Sequence, residues 1–412
     1  MKKYLFIAIA MVASIASAEP VENKNENILT IDLAIDRAIA SNSAFLALSK
    51  QKEISKSLLK QAGQTPVTQL TFGVDDFAGS GPYKSTSSMK SSIGFSQSFE
   101  TGHKRRKRIA SAKASCELEG LKYEVAKKEL KLKVLNAYSE LFRLMNEYKI
   151  QEEATKLAQE TAEIVNKKVY AGELAPIDAT RVNVEFSREE ALKQHLELDI
   201  LSAKNELASL WNSKFFEYED IDLICDAYFK QNLSQPTDEI LNSSPEVKIA
   251  DSQIKLARMD VRKAKAEANA DVDLAITYNK FRENSEHAWA IEASFPLKGN
   301  SEAGNIRAVE QAFEVASLEK EGILSEFSVK LANTFREKES LQKELDNIEN
   351  SLLPVAKQAY NETKIAFEHG EKSLLDLFDA RKTMLETYRL YLEIKCKLFS
   401  AIGEYAVLSN QY

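Results

Sequence analysis

Cysteine is scarce in this 412-residue chain. Cys116, Cys225 and Cys396 are odd in number and far apart, so they build no disulfide framework and read as small buried apolar residues. Histidine is as thin: His103, His195, His287 and His369 are dispersed, with no Cys or His cluster at ligand spacing, so no metal site is expected. A phosphate loop, a nucleophile elbow and a zinc-protease motif are missing, so neither catalytic residues nor a cofactor are expected and the chain does not read as an enzyme. Positive charge is in deficit, 55 Lys and Arg against 62 Asp and Glu for a net charge of −7, which argues against nucleic acid as a partner. Long hydrophobic runs are confined to the N-terminus. Beyond Ala18 none approaches the roughly 20 residues that span a bilayer as a helix, so a membrane role requires a β-barrel.

The one apolar run, Tyr4 to Ile15, follows Lys2 and Lys3 and precedes Ala16-Ser17-Ala18, the pattern of an export signal cleaved after Ala18. The mature chain would begin at Glu19, and no cysteine at that junction offers a site for a lipid anchor.

What is present is first of all a repeat. Gly172-Glu173-Leu174-Ala175-Pro176-Ile177-Asp178 recurs at an offset of 198 residues as Gly370-Glu371-Lys372-Ser373-Leu374-Leu375-Asp376, each copy between long helical stretches. Before each copy the period switches from helical spacing to alternation. Leu70, Phe72 and Val74 alternate with Gln69, Thr71 and Gly73, and Ile93, Phe95, Gln97 and Phe99 with Ser92, Gly94, Ser96 and Ser98; Val272, Leu274, Ile276 and Tyr278 then oppose Asp271, Asp273, Ala275 and Thr277, and Trp289, Ile291, Ala293 and Phe295 oppose Ala290, Glu292 and Ser294. An apolar face backed by a polar one fits barrel strands between lipid and lumen, and it also fits half-buried hairpins on a soluble helical body. Aromatic strand ends at Phe99, Trp289 and Phe295, together with export, favour the membrane.

From Lys104 to Val169 no proline and only Gly120 interrupts a helical pattern, a rod of about 100 Å at 1.5 Å per residue. A heptad reading through Leu118, Leu121, Val125, Lys128, Leu132, Leu135, Ser139 and Phe142 is apolar at six of eight core positions, which predicts coiled-coil packing with polar interruptions. The landmarks divide the chain into a signal peptide (1–18), a first repeat (19–213), a linker (214–235) and a second repeat (236–412). Strands are expected at about 67–74, 91–99, 271–279 and 288–295, and the two turns at about 170–178 and 368–376. A single first helix is expected to run to about Gly63, and a long helix from Ser301 to His369 carries Pro354 inside it.

This order resembles the TolC family of outer-membrane efflux proteins over essentially the whole mature chain, most closely at Gly370 to Arg381 and its sister from Gly172. The run Gly102-His103-Lys104-Arg105-Arg106-Lys107-Arg108 after a strand is similar to the start of the long helix in the branch serving heavy-metal efflux pumps. The resemblance implies a mainly α fold with a small β-barrel contribution. It implies a homotrimer whose chains each lend four strands to a twelve-stranded barrel in outer-membrane lipid and their helices to a periplasmic tunnel. It also implies two partners at the tip turns marked by Gly172 and Gly370: a periplasmic adaptor and an inner-membrane RND or ABC pump.

Carried over residue by residue, the resemblance places a carboxylate gate on Asp376 and Asp379, with Asp178 as the matching acid of the first turn. Lys372 stands where an arginine is usual and Phe367 where a tyrosine is usual. Lysine can still pair with Asp178 but lacks the bidentate fork, and phenylalanine donates no hydroxyl bond. Ser373-Leu374-Leu375-Asp376 also reads as a capping box, so Asp376 has a helix-starting role available with or without a pore role. The basic run Lys104, Arg105, Arg106, Lys107 and Arg108 is expected at the periplasmic face of the membrane, a solvated helix start being the other reading.

The function expected is an outer-membrane exit duct passing metal ions or small toxic compounds. Two alternatives stay open: the outer component of a type I protein secretion system, and a periplasmic coiled-coil scaffold without a pore.

Overall fold

A computed structural model describes residues 28–222, 233–296 and 302–411; the cleavage site at Ala18 and Cys225 lie outside them. The elements run β1 (Ile28–Leu29), α1 (Ile31–Ser41), α2 (Ser43–Ala62), β2 (Gln69–Asp75), β3 (Lys90–Phe99), α3 (Lys104–Tyr170), α4 (Pro176–Ser209) and β4 (Asp220–Ile221). After the linker come α5 (Asp238–Ser243), α6 (Pro245–Glu267), β5 (Val272–Phe281), β6 (His287–Ser294), α7 (Ala303–Asn347), α8 (Leu353–Glu368) and α9 (Leu374–Leu408). The structure is mostly helical with a few strands. None of its described helices is long and apolar enough to cross a membrane.

The rod α3 is a single helix of 67 residues, and α2, α4, α6 and α9 all pack along it. Its heptad positions behave as their chemistry requires. Leu118, Leu135 and Phe142 are buried, and the two polar interruptions are buried with partners. Lys128 Nζ lies 3.5 Å from a Glu246 carboxylate on α6, and Ser139 and Ser400 share a 2.9 Å hydrogen bond between hydroxyls. A buried polar group without such a partner would cost about 1–3 kcal/mol, so the interruptions fix which helices face each other.

Two differences from the sequence reading have local causes. The first helix is broken at Asn42, whose backbone turns extended while its carboxamide accepts from Phe45 N (2.9 Å) and donates to the Leu210 carbonyl (2.8 Å). The long second-repeat helix is also interrupted, by a π turn at Ile348–Leu352 immediately ahead of Pro354. Proline offers no N–H and its ring crowds the carbonyl four residues back; a wider turn relieves both.

Strands β2, β3, β5 and β6 form one antiparallel sheet in the order β2-β3-β5-β6. Its register lines up the alternation across all four strands. Leu70, Phe95, Ile276 and Ile291 form one row and Phe72, Ile93, Tyr278 and Trp289 the next, on the same face. Between them Thr71, Gly94, Thr277 and Ala290 lie on the opposite face, as do Gly73, Ser92, Asn279 and Ala288. The apolar face is bare: Phe72 is 71% exposed, Trp289 69% and Ile291 79%. Strands β2 and β6 leave both edges of the sheet open.

The helices bury two separate apolar clusters. One surrounds Leu135, Tyr138, Phe142, Leu331, Phe399 and Tyr405 at mid-height, where Tyr138 Oη donates to the carbonyls of Leu29 and Asp222 and so ties the β1–β4 pair to α3. The other, around Val165, Val182, Phe367, Leu377 and Met384, fills the end of the rods near the paired turns.

Candidate gate at the paired tip turns

Both turns are built by the same hydrogen bonds. At the end of α3, Gly172 N donates to the Val169 carbonyl (3.0 Å) and Glu173 N to that of Lys168 (2.9 Å); at the end of α8, Gly370 N donates to Phe367 (3.0 Å) and Glu371 N to Ala366 (2.8 Å). This double closure requires a left-handed residue, and Gly172 and Gly370 supply φ of 78° and 80°. The repeat in the sequence is thus a repeat of hydrogen bonds.

The helices that follow start differently. α4 opens on Pro176 with no side-chain cap, whereas α9 opens with a capping box: Asp376 N donates to Ser373 Oγ (3.2 Å) and Ser373 N to Asp376 Oδ2 (2.9 Å). The bonds from the Ser373 hydroxyl and backbone hold the Asp376 carboxyl below its ordinary range, with a smaller contribution from the Lys372 ammonium. Asp379 follows one turn along the helix, and Asp376, Asp379 and Lys372 are all exposed. Asp178 is half-buried and pairs with Arg181 of its own helix at 3.8 Å.

Phe367 sits in the tip cluster at 3% exposure, beneath the Lys168 ammonium, which stands 5.5 Å from the ring centroid. Lys168 also donates to the Glu368 carbonyl (3.2 Å) and lies 3.6 Å from Glu173, so one lysine joins the two turns.

A buried arginine close to the paired turns was not foreseen. Arg381, 3% exposed, makes a 2.7 Å ion pair with Glu185 across α9 and α4, and its Nη1 has no partner among the described residues. Higher up, Gln151 on α3 donates to the Glu189 carboxylate (2.6 Å) and receives Arg389 Nη2 (3.0 Å). The signal was in the spacing: Leu374, Leu377, Arg381 and Met384 share one buried stripe, so Arg381 occupies a core position.

The basic run divides in two. Arg105 Nε donates to the Gly63 carbonyl (2.6 Å), and Arg108 donates to Ala62 (3.0 Å) and Gln64 (2.8 Å) while pairing with Glu100. These guanidiniums satisfy the free carbonyls at the C-terminal end of α2. Lys104 Nζ pairs with Asp271 at 2.7 Å. Burial pushes the Asp271 carboxyl up, and the bonds from Lys104 and the Thr101 amide more than offset it, so the net shift is down. Arg106 remains exposed and Lys107 half-exposed at the junction between sheet and rods.

An open four-stranded sheet with one bare apolar side, carried on rods of this length with two matched tips, is the architecture of an outer-membrane channel protein built from an internal repeat. The sequence model described as "Outer membrane efflux protein" matches residues 34–213 of the chain. The chain is 22% identical over 374 residues to the cobalt-zinc-cadmium resistance protein CzcC of Cupriavidus metallidurans, covering 90% of this chain and 88% of that one. Among solved structures it shares the fold of CusC (TM-score 0.81, 14% identity, 92% of this chain and 91% of that one). VceC of Vibrio cholerae has the same fold (TM-score 0.75, 19% identity, 92% of this chain and 96% of that one).

Proposed function

We propose that three copies of this chain form the exit duct of a tripartite efflux system, each lending its four strands to one closed barrel and its rods to a periplasmic tunnel. The observation that carries this is the sheet: its apolar rows are exposed on one side and both of its edges are unpaired, which is stable in a bilayer only when neighbouring sheets close the ring. The similarity to a cobalt-zinc-cadmium resistance protein favours metal ions as cargo. A passive duct needs no resident metal site for that task. The tips at Gly172 and Gly370 would face an adaptor and, through it, the inner-membrane pump.

In this reading Asp376 and Asp379 supply six carboxylates to the narrow end of the tunnel, which raises local cation concentration and lets divalent ions plug the resting channel. Because the capping bonds hold Asp376 ionised, its charge persists under mildly acidic conditions. Asp376→Asn combined with Asp379→Asn should abolish divalent block and reduce cation selectivity in planar bilayers. Unchanged selectivity and block would remove these residues from the gate.

A further inference from the structure

Four lysines converge on one cavity at mid-height on the helical body. The cavity, of about 330 Å³, lies between α3, the corner where α5 meets α6, and the C-terminal end of α9. Lys127, Lys128 and Lys131 reach it from α3 and Lys248 from the first turn of α6, against one lining carboxylate, Glu124. Lys128 is 9% exposed, and its Nζ makes long contacts, 3.5 Å to the Glu246 carboxylate and 3.5 Å to the Leu408 carbonyl. Burial pushes the Lys128 ammonium down; Glu246 opposes this, Lys248 and Lys131 add to it, and the net shift is down. Lys131 is also pushed down, by burial and then by Lys127, while Asp36 and Asp32 of α1 pull it back. Lys127 and Lys248 have no ion-pair or hydrogen-bond partner among the described residues. The lysines therefore crowd one another, and the described residues supply too few carboxylates to balance them.

We propose that this cavity binds a soluble phosphate-bearing anion, held by Lys127 from α3 and Lys248 from α6 with the buried Lys128 ammonium as a third donor. An anion among these groups favours their charged forms and relieves the repulsion between them. A phosphate group carries about 1.5–2 negative charges at neutral pH, which matches the two unpartnered lysines, and lysine binds phosphate as a point charge. A lipid headgroup is out of reach, because Lys128 stands about 36 Å along α3 from its start at Lys104, where the sheet begins. The bound anion joins α3 of the first repeat to the start and the end of the second, at α6 and α9. It acts as a staple between the two copies. The site is independent of pore formation.

Equilibrium dialysis of the full-length protein in detergent against radiolabelled inorganic phosphate, in chloride of matched ionic strength, should show saturable binding of one phosphate per chain. Lys127→Gln combined with Lys248→Gln should weaken that binding at least about tenfold. Because neither side chain has a partner, this variant should keep the parent's circular dichroism and its melting temperature in chloride. Glu124→Gln removes the lining acid and should instead tighten binding by about threefold, a gain that a damaged fold does not produce. Phosphatidylglycerol added in mixed micelles should not displace the phosphate. No saturable binding by the parent, undiminished binding by the double-lysine variant, no gain in Glu124→Gln, or displacement by the phospholipid would each overturn the site.

Discussion

At the residue scale the tip turns show how much a short sequence can carry. Gly172 and Gly370 have open space where a Cβ would stand, so Gly→Ala at either position costs only the left-handed backbone, about 1–2 kcal/mol. Hydrogen exchange at the tip amides should rise accordingly while the mid-height core is unaffected. Ser373→Ala removes the hydroxyl that accepts from Asp376 N, leaving the backbone N–H of residue 373 to donate to the Asp376 carboxylate, and should destabilise the start of α9 by about 1 kcal/mol. Asp376 adds a pH dependence with a definite sign. Its folded-state carboxyl titrates below the ordinary range, so its contribution is complete at neutral pH and is lost as pH falls through that lowered value. Tip protection from exchange should therefore hold through mildly acidic pH and drop only under strongly acidic conditions; in Asp376→Asn this drop should disappear.

At the scale of elements the two faces of the sheet make opposite predictions for neighbouring residues. Ile276 lies in the apolar row with Leu70, Phe95 and Ile291, while Thr277 lies on the polar side with Thr71 and Gly94. Ile276→Arg should cost about 2–4 kcal/mol near the bilayer midplane and reduce the yield of heat-modifiable oligomer. Thr277→Arg should leave that yield unchanged and alter conductance instead. This difference was legible in the sequence because alternation fixes which residues share a face, and the register joins those faces across strands. The break at Asn42 was less legible, since its cause is a hydrogen bond to Leu210, far along the chain. Arg381 and Gln151 were hidden for a related reason: a polar residue on a helix reads as surface until its partners, Glu185 and Glu189 on α4, are placed beside it. The basic run was seen, but the carbonyls of Ala62, Gly63 and Gln64 that take up two of its guanidiniums belong to another helix end. Lys104→Ala should loosen the junction of β5 with α3 and lower oligomer yield, an effect that Arg106→Ala should not share.

At the scale of the whole molecule, the open edges at β2 and β6 bear on how the protein is made. The rods bury two apolar clusters within one chain, so part of their core forms without a neighbouring copy. The sheet has no such option: away from membrane and neighbours it presents bare apolar rows and unpaired backbone at both margins, the profile of a segment that associates indiscriminately. Biogenesis is then a race between correct ring closure and off-pathway strand pairing. It should depend steeply on chain concentration and on whatever escorts the hairpins to the membrane, and overproduction should yield insoluble protein with its helices already formed.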